Sequence, residues 1–314
     1  MAIQWYPGHM HKARKEIAEA MPQVDLVIEV LDARIPYSSE NPTVTQLRGD
    51  KPCIKLLNKC DLADPEVTAR WIEFLEQEQG VKAMAITTLQ PGMLKTSIPD
   101  LCRKLVPSRD KVEKDIRTMI MGIPNVGKST IINTLAGRVI AKTGNEPAVT
   151  KAQQRINLKN GIVLSDTPGI LWPKVDNEAS SYRLAVTGAI KDTAMEYEDV
   201  ALFAAGYLRL AYPEAVMARY KLDEMPADDM GLLEAIGRKR GALRPGGHID
   251  LHKASELLLH EFRSGKIGLL SLETPEMAKA EQAEVERILA EKAAREKERK
   301  EAEKLKRSGK RIQN

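Results

Sequence analysis

The sequence predicts an α/β protein: a doubly wound, mostly parallel sheet, followed by an all-α region and a charged helical tail. Three observations carry that expectation. Over roughly the first 170 residues, apolar strand-like runs alternate with amphipathic stretches, the pattern of a parallel sheet covered by helices. One run leads into Gly122-Ile-Pro-Asn-Val-Gly127-Lys128-Ser129, which fits the phosphate-binding pattern G-x-x-x-x-G-K-[ST] and opens a helix. Strand signals fade after about residue 175.

In chain order, 10–21 reads as a short amphipathic helix stopped near Pro22, and 24–31 as a buried strand ending at Asp32-Ala33-Arg34. A second strand, 53–57, delivers Asn58 at its C-terminal end. Then come a helix at 66–78, a third strand at 81–87, a short helix at 97–105 and a charged connector over 107–115. The strand 117–122 runs into the glycine loop, with its helix at 128–136. Strands at 154–158 and 162–166 are joined by a turn at Asn160-Gly161. Segments 182–192, 196–211, 213–220, 228–238 and 250–263 read as helices, and 276–305 as a long Ala/Glu/Lys/Arg-rich helix. The expected domains are 1–175 for nucleotide, 176–272 all-α, and 273–314 as a basic tail.

Composition narrows the classes. The formal charge of +4 is uneven: residues 291–314 hold ten Lys or Arg and five Glu, leaving the rest near −1. Such a tail suits polyanions, RNA among them, or is a solvated helix. Cys53, Cys60 and Cys102 have no metal spacing and suggest reduced thiols. No apolar signal core and no run of about 18 apolar residues occurs, so a soluble, cytoplasmic protein without a membrane span is expected.

The motifs point to a guanine nucleotide. Backbone N–H groups around Gly127 can wrap a phosphate at a helix N-terminus, with Asn125, Val126, Gly127, Lys128, Ser129 and Thr130 as nucleotide contacts. Lys128 is expected to reach the β- and γ-phosphates and Ser129 to ligate Mg²⁺. Asp166-Thr-Pro-Gly169, about 40 residues on, has the place of a metal and γ-phosphate sensor. Asp166 would hold Mg²⁺ and the Gly169 N–H would touch the γ-phosphate. Asn58-Lys59-Cys60-Asp61 reads the base: Asp61 can accept from guanine N1–H and the N2 amine, a donor pair that adenine lacks, while Lys59 covers the base with its stem. Thr87 and Thr88 should contact the guanine oxygen, and Thr150 is the expected switch I ligand of Mg²⁺. This base motif precedes the phosphate loop by about sixty residues, so the order is G4-G5-G1-G2-G3, a circular permutation of an ordinary GTPase.

In motif order and in long stretches the chain resembles the circularly permuted ribosome-assembly GTPases, specifically the ribosome biogenesis GTPase A family. The stretches are Trp5-Tyr-Pro-Gly-His-Met10, Asp32-Ala-Arg-Ile-Pro36, Asn58–Asp61, Gly122–Thr130, Asp166-Thr-Pro-Gly-Ile-Leu-Trp-Pro173 and Arg183-Leu-Ala-Val-Thr-Gly-Ala-Ile190. The resemblance covers roughly 1–265 and implies action on the large ribosomal subunit precursor, contacted through rRNA by the helical domain. The tail from about 275 falls outside it. Asn125 is a candidate ligand for K⁺, as in potassium-stimulated GTPases with Asn there, or a loop-stabilising hydrogen-bonder.

Ras-type enzymes place a water-orienting Gln directly after D-x-x-G. Here Ile170 stands there, so unaided hydrolysis should be slow. His9, on an N-terminal loop with Pro7 and Gly8, is the candidate that orients or deprotonates water. His248 and His252 lack carboxylate or Cys partners and suggest RNA contact rather than metal. The leading expectation is a monomeric, RNA-directed assembly GTPase. The alternatives are a regulatory switch acting through protein partners and a P-loop kinase of a small metabolite; Asp61 argues against the kinase.

Overall fold

The structure, a computed structural model, describes residues 8–110, 114–141, 154–171, 177–190 and 195–311; for 8, 9, 110 and 300–311 it describes the backbone alone. Two compact units result, Met1–Thr274 and Pro275–Asn314.

Six strands form one sheet in the first unit: β1 (Leu26–Asp32), β2 (Cys53–Asn58), β3 (Val81–Ala85), β4 (Ile116–Gly122), β5 (Gln154–Asn157) and β6 (Ile162–Asp166), in the order β3-β2-β1-β4-β6-β5. Every pairing is parallel except β5 with β6. The strand sequence Leu-Val-Ile-Glu-Val-Leu-Asp is buried at every position of β1, as a central strand covered on both faces requires. Because the chain runs outward through β2 and β3 and then returns to the other flank of β1 with β4, a crevice opens at the strands' C-terminal ends between β1 and β4. Ligands bind in such crevices.

Helices α1 (Gly8–Ala20), α2 (Pro36–Ser39), α3 (Pro42–Arg48), α4 (Pro65–Leu75), α5 (Pro91–Leu105), α6 (Pro107–Asp110) and α7 (Lys128–Ala136) accompany the sheet. Most begin by legible chemistry. Asp64 caps Glu66 and Val67 N–H and Pro65 takes the first helical position, so α4 starts at 65 and ends earlier than expected. Pro91 likewise opens α5 well before 97. The connector at 107–115 contains the short α6. β3 stops at Ala85, because Thr87 turns the chain by accepting Leu89 N–H on its hydroxyl and Gln90 N–H on its carbonyl. Thr87 and Thr88 therefore lie in a loop rather than at a strand end.

The helices α8 (Glu178–Val186), α9 (Tyr197–Ala211), α10 (Pro213–Tyr220), α11 (Asp229–Arg240) and α12 (Leu251–Arg263) pack around Val200, Ala204, Leu208, Leu233, Ile236 and Leu258. α8 was expected at 182–192. It starts earlier, where Asn177 accepts from Ala179 and Ser180 N–H, and ends at Val186, because Gly188 takes a left-handed φ of 80°. The second unit is the helix α13 (Pro275–Arg311). Its exposed face carries ion pairs of Arg287 with Glu284 and Glu291, and it has few apolar positions.

Fastenings join the helices α8–α12 to the sheet within the first unit. Arg183 of α8, 2% exposed, donates to Leu272 O and to Glu273, whose carboxylate also accepts Ser38 N–H. Trp71 donates its indole N–H to Glu273 O at 3.2 Å. Leu270 N–H reaches Leu62 O and Leu272 N–H reaches Arg34 O, so the chain after α12 is stitched to the turn after β1 and to the segment beyond the base motif.

One buried carboxyl is left poorly paired. Glu29 of β1 is fully buried; one oxygen accepts Asn41 N–H and the other has no partner. Lys55, beside it in register, gives its ammonium to Glu40 and Glu78 instead. Burial, helped by Glu40, pushes the Glu29 carboxyl up to about 8. A raised folded value means that the native state keeps a proton that the unfolded chain releases, so this group makes stability fall as pH rises from about 4.5 towards 8. Glu29→Gln should flatten the dependence of thermal midpoint on pH across that window. An unchanged slope would show that Glu29 ionises normally.

Candidate active site

Each of the five parallel strands ends at the crevice with a distinctive residue: Asp32 on β1, Asn58 on β2, the Thr87 loop after β3, Gly122 on β4 and Asp166 on β6. The phosphate loop leaves β4 with backbone that favours glycine. Gly122 has φ 150° and Gly127 φ 102°, and a Cβ on Gly127 would collide with the Asn58 side chain. Asn125 also adopts positive φ, at 56°. α7 begins at Lys128, so the loop's N–H groups and the helix N-terminus converge on one anion-binding position.

Lys128 is 6% exposed and folds over the loop, donating to Gly122 O at 3.0 Å and Ile123 O at 2.7 Å. Burial pushes its ammonium below the usual lysine range, opposed by Asp166. Burial equally raises the Asp166 carboxyl, opposed by Lys128. One Asp166 oxygen is buried without a hydrogen-bond partner. Gly169 passes so close that a Cβ there would lie 2.9 Å from Pro124 Cα and 3.1 Å from Lys128 Nζ. The structure therefore brings the glycine loop, Lys128 and the Asp166–Gly169 segment together. Ser129 is half-buried, Thr130 exposed and Val126 buried.

The base motif joins the loop directly. Asn58 donates its amide N–H to Val126 O at 2.7 Å. Lys59 sits in left-handed backbone, φ 62°, and its ammonium meets Asp32 at 2.9 Å. Cys60 N–H bonds to Ile86 O, which draws the Thr87 loop alongside the motif. Asp61 is exposed, so the fold itself does not desolvate its carboxylate.

Ile170 is 1% exposed: its N–H bonds to Gly122 O and its carbonyl accepts from Asn41 Nδ2 at 3.0 Å. A side chain packed in the core cannot orient water. Next to it, Leu171 N–H meets the sulfur of Met10 on α1 at 3.5 Å. His9 precedes Met10, and its backbone belongs to the first turn of α1 rather than to a loop; its side chain lies outside the described residues, as does Thr150 altogether. Asn125 donates to Gly188 O, just past α8, at 2.8 Å.

Sequence reasoning missed Asn41, Asp32 and Gly188 as parts of this site. Asn41-Pro42 is a legible helix start, and Asn41 does cap Thr43 N–H, but its grip on Ile170 is visible only in three dimensions.

A glycine phosphate loop, the Asn58–Asp61 segment and the Asp166–Gly169 segment meet at one crevice of a parallel sheet, and their chain order is permuted. That defines a circularly permuted P-loop GTPase. The family described as "50S ribosome-binding GTPase" matches residues 117–213. Ribosome biogenesis GTPase A of Priestia megaterium is 47% identical over 287 residues, covering 89% of this chain and 99% of that protein. The Thermotoga maritima protein of the same name is 33% identical, over 91% of this chain and 99% of its own length. The crystal structure of GNP-bound YlqF from T. maritima matches with a TM-score of 0.58 at 32% identity, covering 85% of this chain and 99% of that one. The chain belongs to the ribosome biogenesis GTPase A family. It is a GTPase that takes part in ribosome assembly.

Gly127→Ala tests the loop's geometry. The added methyl group strains the backbone and strikes Asn58, so GDP affinity in a fluorescence titration should fall by about tenfold or more. Wild-type affinity would contradict the close approach seen here.

Proposed function

We propose that this GTPase binds the large (50S) ribosomal subunit precursor through rRNA, hydrolyses GTP slowly alone and faster on the particle, and leaves once hydrolysis is complete. The observation that carries this reading is the Asn125–Gly188 hydrogen bond. It joins the phosphate loop to the start of the helical region, so a change at the loop has a direct mechanical route to residues 176–272, the proposed RNA-binding domain. The Asp166–Gly169 segment leads into the same region and supplies a second route. The names of the relatives support ribosomal work, and the basic end of the tail, 291–314, suits a polyanion.

In this reading Asp61 accepts from guanine and the loop residues Asn125 to Thr130 hold the phosphates, with Lys128 released from its carbonyl partners to a phosphate. The Thr87 and Thr88 loop touches the guanine oxygen, and the Gly169 N–H touches the γ-phosphate. Ser129, Asp166 and Thr150 would hold Mg²⁺. The first two offer the hard oxygen donors it requires, and the orphaned buried oxygen of Asp166 suits that role. When bound, the ion would neutralise charge on the β- and γ-phosphates. K⁺ would need the Asn125 amide oxygen, since the nitrogen already donates to Gly188. Ile170 is sealed into the core, so water must be oriented by another group. His9 is proposed for that, supported by its neighbour Met10, which touches Leu171 just beyond the sensor.

Sucrose-gradient co-sedimentation with 50S particles tests the function. Binding should be stronger with a non-hydrolysable GTP analogue than with GDP. Binding indifferent to nucleotide would remove the switch, and no binding would remove the ribosomal role. For His9→Ala, ribosome-stimulated turnover should drop by about a hundredfold with GTP affinity kept. An unchanged rate would rule His9 out.

A further inference from the structure

We propose that Asp32 is a positioning residue for guanine recognition, holding Lys59 in place and itself braced by α12 through Arg34. This rests on the reading of Asn58–Asp61 as the guanine motif.

Asp32 ends the central strand and lies opposite Asn58 in the parallel register. It is 2% exposed, yet its carboxylate is saturated with donors. Arg34 supplies its backbone N–H at 3.1 Å, Nε at 2.9 Å and Nη2 at 2.8 Å; Lys59 supplies Nζ at 2.9 Å. Burial pushes the carboxyl up, but Arg34 and Lys59 together overcome it and hold the group well below the usual range. The Asp32–Arg34 pair would neutralise itself without help. Lys59 is the surplus partner, and it comes from the base motif.

A lysine loses much rotamer freedom when its head is tied down, and an untied one spends that freedom in solvent. With the ammonium clamped on Asp32 and the backbone held at φ 62°, both ends of the Lys59 stem are fixed before a nucleotide arrives. The methylenes then present a set surface two residues from Asp61, which is where a purine plane needs an apolar wall. Releasing the clamp would lose a charge-assisted hydrogen bond to a buried carboxylate, so the arrangement persists.

The brace lies on the far side. The Arg34 guanidinium carbon is 5.3 Å from the ring centroid of Phe262 on α12, a cation–π contact. The Arg34 carbonyl accepts Leu272 N–H at 2.8 Å. Lys59, Asp32, Arg34 and Phe262 thus form a continuous series from base motif to helical region. That series reaches the crevice at Lys59 of the base motif, so its influence should fall on the base rather than on the phosphates.

The test is a double-mutant cycle in the full chain, read as affinity for fluorescent GDP and for a non-hydrolysable GTP analogue. Asp32→Asn and Lys59→Met should each weaken both nucleotides by the same factor, about tenfold. The double variant should bind no worse than Lys59→Met alone, because Asp32 acts only through Lys59. Inorganic pyrophosphate, which has no base, should compete equally well for wild type and Asp32→Asn. Losses that add in full, an Asp32→Asn with wild-type GDP affinity, or a matching loss of pyrophosphate binding would each overturn the inference. If Asp32→Asn does not fold, Phe262→Leu reads the brace: GDP affinity should fall by about threefold with Lys59 present and not at all in Lys59→Met. Equal effects in both backgrounds would overturn it. Asp61→Asn separates the two levels. Should it keep wild-type GDP affinity, the guanine motif itself is misassigned; should it lose affinity while Asp32→Asn does not, only the role of Asp32 fails.

Discussion

The hydrogen bond from Asn58 to the carbonyl of Val126 is the constraint on which the site depends. It ties the end of β2 to the phosphate loop after β4, two segments that the chain separates by 68 residues. It also explains two backbone choices at once. Gly127 must lack a side chain because the Asn58 amide occupies that space, and Lys59 must turn through left-handed backbone to carry Asp61 outward. The base motif and the phosphate loop thus share one small junction, whatever order their segments take in the chain.

Permutation has a physical consequence that an ordinary chain order would not offer. A sheet needs its strands side by side and is indifferent to which end of the chain each comes from. Here Asp166–Gly169, the segment proposed to sense the γ-phosphate, follows the last described strand, so the next described elements are α8–α12. The segment Arg183–Ile190 becomes a junction: Arg183 is anchored on Leu272 and Glu273, Arg263 caps the carbonyls of Ala185 and Val186, and Gly188 accepts from the phosphate loop. Several of these groups are buried, and removing one partner of Arg183–Glu273 would strand the other at a cost of about 3–5 kcal/mol. The helical region is thus attached at two points, one at the phosphate loop and one beyond the base motif.

Much of the site was legible in the residues because its chemistry is local. A glycine loop between strand and helix, an Asp–x–x–Gly after a strand, and Asn-Lys-Cys-Asp at a strand end are each read within a few positions, and the sheet's six strands were found with ends within two residues. Boundaries failed where short-range chemistry competes with pattern. The apolar run through Ile190 looks helical, yet Gly188 ends α8 two positions after Val186; Thr87 looks like strand, yet its own hydroxyl and carbonyl turn the chain.

What the sequence determined by itself was the inventory of motifs, their permuted order and the alternation of strands and helices, since these follow from periodicity and from spacing along the chain. The tertiary structure alone decided which groups share an electrostatic environment. Nothing in Asp32-Ala-Arg announces that one carboxylate will hold both its own neighbour and the lysine of a distant motif. Nor does Ile170 announce that it will be sealed into the core by Asn41 and Gly122. The reason is that burial, which turns an ordinary ion pair or amide into a strong constraint, is a property of the packed sheet and its helices and not of any stretch of chain.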